Sequence, residues 1–181
     1  MKSRLVSVIS AIVTVLFICV IWVMEEKSNS YAEPHEALLA IDKNMSLIPA
    51  YKSDDRALFF VIKSENNLGA AYVKKDLFGW KSGMLTASPM AKDRIYDNLA
   101  GYQGHGENLI YGLIRHGDDR MVQVGDNYAT ILNLAMLPPE EVEKYRLEGL
   151  HIWYLESDDS LNNEKIKLID KMTEKVLDQH E

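Results

Sequence analysis

The chain is almost without thiols. Its single cysteine, Cys19, lies in an apolar run near the N-terminus, so the rest of the sequence has no disulfide, no thiolate zinc site and no cysteine nucleophile. Lipid attachment at Cys19 is excluded too, because bulky Phe17 and Ile18 precede it and more apolar residues follow. Positive charge is the next shortage. There are 20 Lys and Arg against 27 Asp and Glu, and from Glu25 onward the balance is 18 against 27, a net of −9. Such a surface repels phosphate, which argues against nucleic acid as a partner.

Motifs of known chemistry are missing as well. No GxSxG surrounds a serine, and neither HExxH nor a calcium-loop pattern occurs. Phosphate loops are absent, since GYQGHG (101–106) lacks the preceding strand and following helix that such loops need. Ser82 in WKSG has no second flanking glycine and reads as a turn serine. No cofactor is implied, and there is no internal repeat or low-complexity tract.

What the sequence does contain is an uncharged run from Leu5 to Met24, preceded by Lys2 and Arg4 and followed by Glu25 and Glu26. Twenty residues of helix reach roughly 30 Å, the thickness of a bilayer core, which predicts a single-pass transmembrane signal-anchor. The charge bias places the N-terminus in the cytoplasm and the remainder outside, with Trp22 near the outer headgroups. Ser30 and Ala32 stand at −3 and −1 before Glu33, so cleavage after Ala32 and secretion is the alternative. Residues 25–33 read as a linker and 34–181 as one extracytoplasmic domain.

Within that domain, Pro34 opens a short amphipathic helix carrying Ala37, Leu38 and Ile41. Ala57–Lys63 and Ala70–Asp76 predict a hairpin, and Gly79 and Gly83 predict bends on either side of Trp80. Met90–Leu99 reads as helix. Leu109–Arg115, the turn HGDD and RMVQVG predict a second hairpin, followed by a strand in Asn127–Leu132. A helical turn after Pro138 and Pro139 closes at Gly149 before the strand LHIWYLE. The C-terminal stretch favours two strands around the KMTE turn over a helix. The fold class this implies is α+β: the transmembrane helix, then one domain on an antiparallel sheet with short helices.

Three residues stand out as candidate sites. His105 and His116, with Glu107, Asp118 and Asp119 nearby in sequence, are the candidate metal ligands, since imidazole and carboxylate suit zinc. Their spacing matches no recognised ligand pattern, and such residues more often serve turns. Trp80, set between glycines, is the candidate binding residue, because an exposed tryptophan is favoured at interaction hot spots. The adjacent pairs Asp54–Asp55, Asp118–Asp119 and Asp158–Asp159 point to opposite faces of a strand and read as solvated turns.

The order of EPHEALLAID, ALFFVIK, AAYVKKDLFGWKSG, LIYGLIR, VQVGDNYATIL and HIWYLE after a basic start and apolar run resembles the small membrane-anchored or secreted proteins of unassigned function of endospore-forming Gram-positive bacteria. The resemblance implies location and architecture but no functional residues. The expected function is a membrane-anchored, extracytoplasmic, non-enzymatic module that binds an envelope protein or small ligand, with the membrane contacted through Leu5 to Met24. The alternative is an extracytoplasmic metal-dependent hydrolase using the His105 and His116 region.

Overall fold

The computed structural model describes every residue except Met1, Ser64, Glu65, Ala100, Glu107 and Glu181, and gives the backbone alone for residues 2–9 and 11. In chain order the elements are helices α1 (Lys2–Ser28) and α2 (Pro34–Leu39), then strands β1 (Ser46–Lys52), β2 (Arg56–Lys63), β3 (Asn67–Asp76) and β4 (Gly79–Pro89). Next come β5 (Gln103–His105), β6 (Leu109–Arg115), β7 (Arg120–Val124), β8 (Asn127–Tyr128) and β9 (Thr130–Asn133). A 3-10 turn (Leu134–Met136), helix α3 (Pro139–Tyr145) and strands β10 (Leu150–Glu156), β11 (Ile166–Asp170) and β12 (Val176–His180) complete the chain.

The strands form three four-stranded sheets ordered β1-β2-β3-β4, β5-β6-β10-β9 and β12-β11-β7-β8. Every pairing is antiparallel. Alternation of side chains along each strand explains why the sheets stack. On β2, Leu58, Phe60 and Ile62 meet Leu109, Tyr111 and Leu113 of β6 and Ile152 and Tyr154 of β10 in one core. The intervening Ala57, Phe59 and Val61 turn the other way, against Ala37 and Leu38 of α2. Likewise Ile110, Ile114 and Trp153 leave the opposite face of the middle sheet and meet Val122, Val124, Ile166 and Leu168 of the third. The order of layers is therefore α2, first sheet, second sheet, third sheet.

The expected α+β fold on one antiparallel sheet is thus corrected: the protein is mostly antiparallel β in three sheets. The physical reason lies in RALFFVIK, LIYGLIR and LHIWYLE. These strands are apolar on both faces, and burying both faces takes a layer on each side. The predicted hairpin of β6 with β7 is corrected for the same reason. β6 takes β5 and β10 as neighbours, while the turn at His116, whose φ is 56°, sends β7 into the third sheet beside β11. The predicted strand over Asn127–Leu132 also divides, β8 staying with β7 and β9 crossing to β10.

The predicted transmembrane helix needs a further correction. Helix α1 covers Leu5–Met24, yet among the described residues no helix is long and apolar enough to cross a membrane. Charged Glu25, Glu26 and Lys27 continue the same helix past Met24, and Glu26 pairs with Lys81 of β4. The single-pass and signal-anchor readings fall with it. Because α1 continues to Ser28, residues 25–28 of the expected linker are helical.

Met90–Leu99 is not helical. Asp93 Oδ1 accepts the Ile95 N–H at 3.1 Å, and Arg94 sits at φ 57°, both of which break helical pairing. The buried Arg94 side chain instead donates from Nε to the Tyr145 carbonyl at 3.2 Å, a cation placed at the C-terminal end of α3. Asp178 of β12 then accepts the Leu99 N–H at 2.9 Å, and that bond holds its carboxyl below the usual range. The C-terminal strand pair is present, its turn closed by Asp170 Oδ1, which accepts from the Met172 and Thr173 N–H groups at 3.1 and 2.8 Å.

Candidate functional site

The residues singled out from sequence are scattered. Trp80 does not project from a loop: it lies in β4, 3% exposed, in the cluster under α2. His105 ends β5 opposite Leu109, the first residue of β6, whereas His116 follows Arg115, the last. At about 3.3 Å per residue they stand roughly 20 Å apart, so they do not share an ion. Glu107 lies outside the described residues, and Asp118 and Asp119 are exposed beside His116. Among the described residues no group of three His, Cys, Asp or Glu is placed to hold a metal.

His151, which the sequence reading passed over, fills the space near His116. It is buried on β10, and its Nδ1 accepts the Gly117 N–H at 3.3 Å. A Cβ on Gly117 would lie 2.5 Å from the ring, so glycine is required there by the imidazole. This is packing.

A cleft of about 560 Å³ opens where the first and second sheets part, and His105 lines it. Its floor is made by β2, β3 and β10. The Arg56 guanidinium lies 4.1 Å from the centre of the Tyr72 ring and pairs with the Glu156 carboxylate. Glu156 Oε2 also accepts the Tyr51 hydroxyl at 2.8 Å. Among the described residues Arg56 Nε and Tyr72 Oη are buried without a hydrogen-bond partner. Burial first, and then Glu156, pushes the Tyr51 and Tyr72 hydroxyls well above the usual tyrosine range. Both therefore remain protonated donors at neutral pH.

A bulge in β4 shapes the rim. Val73 pairs with Ser82 and Ala71 with Leu85, leaving Gly83 and Met84 both opposite Tyr72; bulges of this kind recur beside functional sites. The approach is close, since a Cβ on Gly83 would stand 3.0 Å from the Tyr72 carbonyl oxygen. Met84 is left exposed at the mouth. From the other side the Asn108 amide donates to the Ser157 and Asp158 carbonyls at 3.0 and 3.1 Å, which fixes the Asp158 segment against the start of β6. Lys74 and Asp158 complete the lining. Among the described residues neither has an ion-pair partner, whereas Arg56 and Glu156 neutralise each other.

His105 joins the two sheets at this cleft: Nδ1 and the Thr86 hydroxyl of β4 are 2.6 Å apart, and its ring centre lies 5.4 Å from that of Tyr72. Burial holds the imidazole below the usual histidine range. A base with a lowered pKa in the folded state binds its proton more weakly there than in the unfolded chain. Its contribution is therefore fully present above about pH 6.5 and is lost as pH falls from that value towards the folded pKa. Urea titrations at about pH 7.5 and 5.5 are expected to show a smaller acid loss in His105→Gln than in the wild type. Equal losses would remove His105 from this account.

The chain was compared with family models, curated proteins and solved structures, and no match was found. Asp158 was read from sequence as a solvated turn residue, and Arg56, Tyr72, Lys74 and Glu156 were not marked as a site, because the five come from separate strands and loops and share no local spacing. Only the alternation of polar residues at the ends of apolar strands pointed towards them.

Proposed function

We propose that the protein is a non-enzymatic binding module whose ligand enters the cleft between the first and second sheets. The observation that supports this reading most is the pairing of an uncommitted cation, Lys74, with an uncommitted carboxylate, Asp158, around the Tyr72 and His105 rings. A ligand with one positive and one negative end and an apolar body meets all three features. Amino acids and short peptides with free termini are that class. The charges of the floor cancel, so recognition depends on the two rim groups, while the ring faces accept apolar or aromatic side chains.

Its place is at a membrane, outside the cytoplasm. This rests on Lys2 and Arg4 preceding the apolar run, the order of charge and hydrophobicity in an export signal, and on the side chains from Ile12 to Met24, which α1 exposes on all sides and which water does not solvate well. No observation favours the metal-dependent hydrolase, because its two histidines lie at opposite ends of β6.

Titration of the full chain with alanyl-phenylalanine, free and with both termini blocked, tests the reading. The free dipeptide is expected to bind saturably and the blocked one at least about tenfold more weakly, the effect of losing roughly 1.4 kcal/mol of charge interaction. Lys74→Glu, a change at an exposed position, is expected to weaken the free dipeptide to a similar degree. Equal binding of both forms, or binding unmoved by Lys74→Glu, would contradict the assignment.

A further inference from the structure

The segment between the N-terminal helix and the domain is built into the first sheet. Tyr31 and Trp80 form an antiparallel bridge in which each N–H donates to the other's carbonyl, at 2.9 and 2.8 Å. The Tyr31 side chain packs with the cluster around Trp80 and Leu38. Gly79 is shaped for this approach: its φ is 140°, and a Cβ there would stand 2.5 Å from the Tyr31 carbonyl oxygen. Charge clasps flank the bridge on both sides. Lys81, next to Trp80, pairs with Glu26 of α1 and lies 3.1 Å from Asp76, and Lys52 of β1 pairs with Glu33 at 2.5 Å. Beyond the bridge, the Glu33 N–H donates to Glu36 Oε2 at 3.1 Å, which fixes the entry into α2.

The geometry points to a strap, residues 29–33, that closes the Ala32–Glu33 bond to processing peptidases once the domain has folded and so keeps α1 attached. A peptidase binds its substrate as an extended chain with open backbone donors and acceptors. At Tyr31 those groups are already taken by Trp80. Cleavage then requires the strap to open first, and its rate follows the open population. Removal of the segment would also uncover Trp80 and leave the N–H and C=O of that residue without partners.

Chymotrypsin, which cuts after aromatic residues, reads the strap at Tyr31–Ala32 in the full chain. Gly79→Ala forces the strap off its seat, and cutting after Tyr31 is expected to rise on the order of thirtyfold, the loss of two net backbone hydrogen bonds. Cutting at exposed Tyr128 is expected to stay constant and serves as the internal reference. Hydrogen exchange of the wild type gives a second reading that needs no variant: the Tyr31 amide is expected to exchange at least about a hundredfold more slowly than a free peptide. Wild-type cutting after Tyr31 as fast as in Gly79→Ala, or a Tyr31 amide exchanging at the free-peptide rate, would overturn the strap.

Discussion

Phe60→Ala is expected to cost roughly 3–5 kcal/mol of unfolding free energy. Phe60 is fully buried in the middle of β2, and its ring centre lies 5.2 Å from that of Tyr111 on β6 and 5.3 Å from that of Tyr154 on β10. One side chain thus joins the first sheet to both central strands of the second. Truncation leaves a cavity between two sheets whose backbones are held by their own ladders, so the space collapses poorly. Urea unfolding followed by tryptophan fluorescence measures the change. A loss below about 1 kcal/mol, the scale of an ordinary surface change, would mean the first two sheets do not share this core.

Gly112→Ala tests the other interface by adding atoms instead of removing them. Gly112 is paired with Trp153 across β6 and β10. A Cβ there would stand 2.8 Å from the indole Nε1 and 3.0 Å from Cε2. Trp153 is fully buried against the third sheet and has no slack in which to move. The expected cost is about 1–3 kcal/mol from overpacking, with a changed near-ultraviolet signal from the displaced indole. A neutral substitution would mean the second and third sheets are packed more loosely than described.

These two positions also show what was readable beforehand. The strands themselves were evident, because RALFFVIK, LIYGLIR and LHIWYLE are β-rich apolar runs bounded by turn residues, and β10 falls where the sequence placed it. Their number of layers was not. A run apolar on both faces looks the same whether one sheet or three is assembled, and the tight turn at His116–Asp119 suggested a hairpin between strands that in fact belong to different sheets. Long-range partners such as β6 and β10 leave no trace in local spacing.

The cleft was less legible still. His105 was marked for its glycine-rich surroundings and does line the cleft, but its contacts are Thr86 and Tyr72 instead of His116. Arg56 and Glu156 meet only because β2 and β10 face each other across the first core. The Gly83–Met84 bulge, which opens the rim, depends on a register shift whose place the bend predicted at Gly83 marked but whose form it did not. Trp80 drew attention because glycine flanked it. Gly79 is there so that Tyr31 can lie against the sheet, and the indole is buried as a result.

The binding cleft is the central claim, and carbon-13 methyl resonances of the methionines in the full chain read it most directly during titration with free alanyl-phenylalanine. Met84 stands at the rim, while Met136 and Met172 are also exposed to solvent but line no part of the cleft. The account predicts a saturable shift of the Met84 methyl with Met136 and Met172 unmoved. A stationary Met84, or shifts of Met136 or Met172 in its place, would contradict it.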